Sequence, residues 1–530
     1  MPRDFLDHHG NFLVLAHHPS YRVRNLRAHD QLEVLGREAD SDCVVDNRRN
    51  FPPGEVEVAR ADPVYEIPNP LTFRGVTYIN RPWAEARAAD PNSIRLPKQP
   101  EVSLGRDLTA ALAGKQPELP AKERLIALLP RPLQLTLAAT STDPDDLTAL
   151  AALSCDFAMG PEQTPQGLLF RPDDQRPQIH DHDLYETVAN NPHLPSHYKR
   201  IMVLRPGAQG GSEIVGEYGA PGAATHIYEY LRRNSYIPWG HYAANMAEDA
   251  IRYRIADLTA ADMTGLRHLY YQRTYVRLAE LLDLPAKWQR TGLTGDELEE
   301  LRLQLQKRLA ADGADRLPFT GTLWGWNFGY DCSGSGYRLH ASHQQVHQQY
   351  ALVPPPPAFA AGDQVAACCR SFRKRHGQGM FAAYLKALRQ NRRIDGRRQA
   401  PAELIIHEDE QLILFVPKAQ ASQWELQIMT KAEVGHVLEA DAACRAALDR
   451  ALLLAQQILA GLGATMVTSI EYSKRLDAAD HDQRLLYALL PKLPYAMGAF
   501  TEAQQRFICG HYPEDFAACC RNVAGKLTKA

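Results

Sequence analysis

Apolar positions are sparse and weakly alternating over the first sixty or so residues, in stretches such as CVVD and EVEVAR, which predicts short strands or an extended arm. From Asn69 the run NPLTFRGVTYINRPW reads as turn, strand and turn, with Val76, Thr77, Tyr78 and Ile79 between Gly75 and Arg81–Pro82. Two stretches within 105–153, DLTAALAG and AKERLIALL, carry apolar residues at helical spacing. A long helix is expected over 257–283, capped by Asp257 or Thr259, and a charged one over 294–311, acidic early and basic late. The strand GTLWGWNFGY follows, then a histidine-rich segment, and VPPPP at 353–357 marks a boundary that neither helix nor central strand can cross.

Beyond that boundary the pattern predicts a basic helix over 368–390, an arginine-rich turn, and a strand pair in AELIIHED and QLILFVPK. A third strand in WELQIMT, an amphipathic helix over 438–461 and a further strand around LLYALLPKL complete the run. The second part thus repeats the first in outline, strands and then a long helix and then a strand, as a duplicated α+β unit would. At 530 residues the chain exceeds one hydrophobic core.

Composition changes this picture little. At 45% hydrophobic and 23% charged residues, with a net charge of -3, the chain has no field that would favour nucleic acid or an anionic membrane. No eighteen-residue apolar run is present, and the amino terminus lacks a secretory pattern. The nine cysteines never take the two-residue spacing of zinc or redox sites, so reduced, buried thiols in the cytoplasm are expected.

Chemistry concentrates in GYRLHASHQQVHQQYALVP, residues 336–354. On a strand His343, Gln345, His347 and Gln349 share one face, which must line a polar cleft or meet water. A neutral imidazole attacks phosphorus well, and neighbouring amides and hydroxyls such as Ser342 steady the phosphate oxygens. A solvated edge strand is the bland alternative. A metal site at His340, His343 and His347 is another, although no cysteine or carboxylate stands beside them at ligand spacing. The HDHD run at 180–183 reads as an exposed loop, and the arginines of 370–375 and 392–398 as a solvated face or a phosphate cluster.

The run His340-Ala341-Ser342-His343-Gln344-Gln345-Val346-His347-Gln348-Gln349 resembles the Gly-Ala-Ser-x-x-His-Pro-His-x-Gln strand of the galactose-1-phosphate uridylyltransferase branch of the histidine-triad superfamily. Asn327-Phe328-Gly329 is similar to the superfamily's Asn-x-Gly turn. NPLT…RPW at 69–83, CDFAMGPEQTP at 155–165, FVPKAQASQWELQIMTK at 415–431 and RFICG at 506–510 resemble further landmarks, in the family's order. The resemblance implies an α+β fold of two HIT-like halves, each a curved antiparallel sheet with helices. It divides the chain into an extension (1–64), a first half (65–357) with a helical insertion near 85–150, and a second half (358–530).

By the same resemblance His347 is the nucleophile, Gln349 and Ser342 hold the phosphate, and Asn327, Gln345, His343, Arg81 and Arg506 contact substrate. The implied reaction passes a nucleotide from a nucleoside diphosphate-sugar through histidine to a phosphorylated acceptor. Phosphate or water as acceptor, or a nucleotide-binding homologue without turnover, are the alternatives, and a homodimer is left open. The family's structural zinc is expected to be lost: Gln345 and Ala158 stand at two ligand positions, Arg252 or a neighbour at a third, and of four only Cys155 remains. No cofactor is expected.

Overall fold

A computed structural model describes the chain apart from residues 1–3, 25–31, 51–54, 99, 112–121, 163, 174–176, 192, 204–254, 256–257, 289–292, 315–316, 330–346, 358, 479–481, 494–497 and 528–530. The weakly alternating amino-terminal stretches form short hairpins, Tyr21–Arg24 with Glu55–Val58 and Val34–Arg37 with Val44–Asp46. Strands β1 (Leu15–His17), β2 (Val64–Pro68) and β3 (Val76–Ile79) pair antiparallel in sequence order. Between β2 and β3 the chain turns at Gly75, φ 75°, where a Cβ would lie 2.0 Å from the Gln505 carbonyl oxygen, so only glycine fits. Helix α1 (Arg81–Ala88) begins at Asn80, whose side chain accepts from the Trp83 amide. The predicted insertion is helical, with segments at Leu104–Ala111, Lys122–Leu128, Arg131–Thr140 and Pro144–Ser154.

The long helix α2 (Ala260–Leu281) and the charged helix α3 (Gly295–Asp312) both start at capping boxes, Thr259 with Asp262 and Thr294 with Glu297. Strands β4 (Gly321–Gly329) and β5 (His347–Val353) follow. The single basic helix expected over 368–390 is two helices, α4 (Ala361–His376) and α5 (Met380–Arg389). Gly377 sits left-handed at φ 67° and ends α4, the usual way a glycine stops a helix. Then come β6 (Ile405–Glu408), β7 (Leu412–Phe415), β8 (Leu426–Thr430), the amphipathic helix α6 (Ala442–Gly461), β9 (Met466–Tyr472), β10 (Leu486–Pro491), β11 (Arg506–Cys509) and α7 (Pro513–Leu527). Among the described residues no helix is long and apolar enough to cross a membrane.

The fold is α+β. One antiparallel sheet of seven strands runs β5-β4-β9-β10-β8-β7-β6, and a second runs β1-β2-β3-β11, with β11 parallel to β3. The boundary expected at 357 therefore falls between strands that share both sheets. One face of the large sheet packs Trp324, Trp326, Val467, Tyr487, Leu489, Leu426, Ile428 and Leu414 against α2 and α6. The other face is covered over β6–β10 by α4, α5 and the amino-terminal residues Phe5, Leu6 and Phe12. Toward β5 that second face is only partly covered: Leu323, Asn327, Thr468 and Ile470 are half-buried and Ala351 is exposed.

Candidate functional site

Strand register aligns four positions across the open part of the sheet. His347 pairs with Asn327, Asn327 with Thr468, and Thr468 with Leu490. Directly opposed residues of antiparallel strands share a face, so the row lies on the face opposite Trp324 and Trp326. Gln349 pairs with Gly325, one step along the same face. The carboxyl end of β4, the amino ends of β5 and β9 and the carboxyl end of β10 all meet at this edge. The segment that joins β4 to β5 carries His340, Ser342, His343 and Gln345, and these four lie outside the described residues.

Beyond the row, at the same edge of the sheet, lies a cleft of about 330 Å³ lined by Asn80, Trp83, Ser422, Gln423, Pro491, Leu493, Phe507 and Ile508 among others. Sequence reasoning missed it, since its walls come from α1, the loop before β8, the end of β10, and β11. Of the two arginines assigned to substrate, Arg81 is the first residue of α1 and Arg506 the first residue of β11 in the second sheet. Arg81 reaches Glu85 at 3.3 Å, and the Arg506 guanidinium lies 5.3 Å from the centre of the Tyr78 ring.

Three of the sequence landmarks, at 69–83, 415–431 and 506–510, converge here although they are up to about 440 residues apart in the chain. Asn69 donates to the Ala419 carbonyl, and the Thr77 hydroxyl donates to that of Gln420. Arg74 reaches the fully buried Glu425 at 2.5 Å, and Glu425 also accepts from Gln427 and the Ala421 amide. Burial alone would lower the Arg74 pKa, but Glu425 outweighs it and holds the guanidinium above its ordinary range. Lys418 is buried against Glu514, and burial pushes its pKa down. His511 is within 3.0 Å of Gln420, and burial beside Arg87 lowers its pKa to about 3, so it is neutral. These groups brace the loop that feeds β8 and one wall of the cleft.

No family model and no curated protein matches the chain. Solved structures that overlap it include a uridylyltransferase mutant, with TM-score 0.34, 16% identity, and 52% of this chain and 75% of that one covered. An ADP-glucose phosphorylase from Arabidopsis thaliana with bound ADP-glucose overlaps at TM-score 0.34 and 14% identity, over 52% of this chain and 70% of its own. A GalT-like protein from the same plant overlaps at TM-score 0.33 and 14% identity, over 52% and 72%. Likeness of this size assigns no family.

The CDFAMGPEQTP landmark sits apart. Cys155 is buried among the insertion helices, its thiol directed to the Ala151 carbonyl at 3.7 Å, and burial pushes its pKa up to about 12. Among the described residues no group of three or more histidine, cysteine or acidic side chains is placed to hold a metal. The HDHD run forms a helix start: Asp181 caps Leu184, and Arg131 bridges Asp181 and Asp183. Within the arginine clusters Arg393 is buried between Asp395 and Asp515, whereas Arg392, Arg397 and Arg398, like Arg370, Arg373, Lys374 and Arg375, are exposed as a solvated face would be. Arg397 pairs with Glu85.

Under the opposite face of the same strands lies a second polar cluster. Glu471 is fully buried and accepts from Tyr270 at 3.0 Å and Tyr487 at 2.6 Å. Burial raises its pKa to about 7, against the lowering effect of both tyrosines. Nearby, Arg267 on α2 and Asp449 on α6 form a two-pronged pair at 2.7 and 2.5 Å.

Proposed function

We propose that the protein is a nucleotidyltransferase in which His347 carries the nucleotide. The neutral imidazole attacks the α-phosphorus of a nucleoside diphosphate-sugar, the bond to the bridging oxygen breaks, and the sugar phosphate leaves with the electron pair. A phosphate oxygen of the acceptor then attacks the same phosphorus and frees the imidazole. Gln349 and Ser342 hold the phosphate oxygens, and Asn327, His343, Gln345, Arg81 and Arg506 contact the substrate.

One observation carries the reading: the Ser342–His347–Gln349 spacing ends on a strand whose first residue is paired with Asn327, at an open edge of the sheet. The two-half HIT-like plan (extension 1–64, halves 65–357 and 358–530) has its own support. Helix α2 precedes the β4–β5 hairpin as α6 precedes β9–β10, the two helices pack together, and β4 pairs with β9. A cytoplasmic setting agrees with eight described cysteines that form no disulfide. The chain holds no structural zinc in this account, and elemental analysis finding one tightly held zinc per chain would overturn that part.

The test is a screen of nucleotide-sugars and dinucleoside polyphosphates, radiolabelled at the α-phosphate, for acid-labile label on the purified protein. One substrate should label it, and adding a sugar phosphate should discharge the label into a new nucleotide-sugar. Turnover without any labelled protein would sink the proposal.

A further inference from the structure

We infer that the cleft between α1, β11 and the end of β10 holds the nucleobase of the nucleotide that His347 carries. This inference rests on the nucleotidyl-transfer reading and extends it to the ring that the enzyme must recognise.

Position comes first. The row His347–Asn327–Thr468–Leu490 crosses four neighbouring strands, and Pro491, the residue after Leu490, lines the cleft. Three strand spacings of about 4.8 Å put the cleft's near wall roughly 14 Å from position 347. A histidine side chain at one end and a ribose 5′-phosphate with its base can together bridge that gap.

Chemistry comes second. Trp83 is 60% exposed and Ile508 50% exposed, and with Phe507, Leu493 and Pro491 they make a largely apolar, partly aromatic wall. Large apolar side chains left open in a concave site mark a ligand surface rather than a solvated one. The polar groups are few and uncharged. Asn80 spends its Oδ1 on the Trp83 amide, and among the described residues its Nδ2 and the side chains of Ser422 and Gln423 have no hydrogen-bond partner. All three are half-buried. A flat ring with π-faces and one polar edge suits that combination. A hexose carries hydroxyls all round its rim and would leave most of them against carbon. A phosphate would find no cation among the lining residues.

The cleft is also preformed. Asn80 and Trp83 are fixed by the α1 cap, and Gly510 lies under the indole, where a Cβ would come 3.3 Å from Trp83. Gln420, three residues before Gln423, is held by His511.

The experiment measures equilibrium binding of uridine, cytidine, adenosine and guanosine monophosphates, glucose 1-phosphate and galactose 1-phosphate to the full-length protein by titration calorimetry. Wild type, Trp83→Ala and Gln423→Ala are compared, with circular dichroism showing that both variants fold. At least one nucleotide should bind, Trp83→Ala should weaken it about ten-fold or more, and Gln423→Ala should alter the ranking of bases. A loss confined to the sugar phosphates would make the cleft a sugar site and overturn the assignment. Unchanged nucleotide binding in Trp83→Ala, or no nucleotide binding by wild type, would overturn it as well. Labelling of His347 is read separately, so an unlabelled protein that binds nucleotide through Trp83 would defeat the transfer mechanism and leave the cleft standing.

Discussion

The two hairpins that meet at the centre of the large sheet, β4–β5 and β9–β10, are built alike and equipped differently. Each follows a long helix on the same face, and the Arg267–Asp449 pair joins those helices as β4 joins β9. In the second hairpin, β10 reads Leu-Tyr-Ala-Leu-Leu-Pro, lies between β9 and β8, and is almost wholly buried. In the first, β5 reads His-Gln-Gln-Tyr-Ala-Leu-Val, and among the described residues nothing pairs with its outer edge. The two hairpins thus end in one strand that contributes apolar burial to the core and one with no paired neighbour on its outer side among the described residues.

That asymmetry breaks most directly at the nucleophile. His347→Asn should lower turnover at least about a thousand-fold while leaving the urea midpoint of unfolding close to wild type, measured by steady-state kinetics and equilibrium denaturation. Retained turnover would show that the polar strand has no chemical role.

Next in size is the ion pair between the NPLT segment and the loop before β8. Arg74→Met leaves Glu425 buried without its guanidinium partner, and should cost about 3–5 kcal/mol of unfolding free energy. A loss below about 1 kcal/mol would mean that the pair is not what binds the NPLT segment to the loop before β8.

The apolar hairpin has its own signature in pH. The folded pKa of Glu471, about 7, lies above its ordinary 4.5, so folding favours the protonated acid. The cost of the buried carboxylate is absent below pH 4.5, grows from there to pH 7, and is complete above it. At 1.36 kcal/mol per unit that is about 3 kcal/mol. Glu471→Gln should therefore flatten the fall in stability between pH 5 and 8 and raise the melting temperature at pH 8. A variant that loses stability equally at all pH values would assign Glu471 a purely geometric role.

The smallest effect is expected beside the nucleophile. Gln345→Ala removes one neutral amide contact worth about 1 kcal/mol, so substrate binding should weaken a few-fold with chemistry intact. A loss as large as that of His347→Asn would reveal a catalytic role for Gln345, and no effect would place it outside the site.

What the sequence made legible were features written locally. The starts of α2 and α3 are capping boxes complete within four residues, and both helices lie within a few residues of their expected ends. The strand pair β6–β7 and strand β8 follow from alternation and β-branched runs. Strand β9 escaped, because Thr468, Ser469 and Glu471 interrupt its apolar pattern. Its buried glutamate is held by Tyr270, 201 residues away, and by Tyr487 on the neighbouring strand, which no local pattern encodes. The break between α4 and α5 turned on Gly377 taking a left-handed conformation, a choice that composition alone does not dictate. His347 was readable as chemistry from its neighbours. The row through Asn327, Thr468 and Leu490 was not, since it exists only once β4 has found β9. The cleft draws on Trp83, Gln423, Pro491 and Phe507, four segments that only the fold assembles.

The most direct measurement is the site of the label. A protein loaded with α-phosphate-labelled nucleotide-sugar, quenched at high pH and digested, should yield one labelled peptide, carrying a single nucleotidyl group on His347 that acid removes and alkali spares. Label on any other residue, or on the protein with His347 replaced by glycine, would contradict the account.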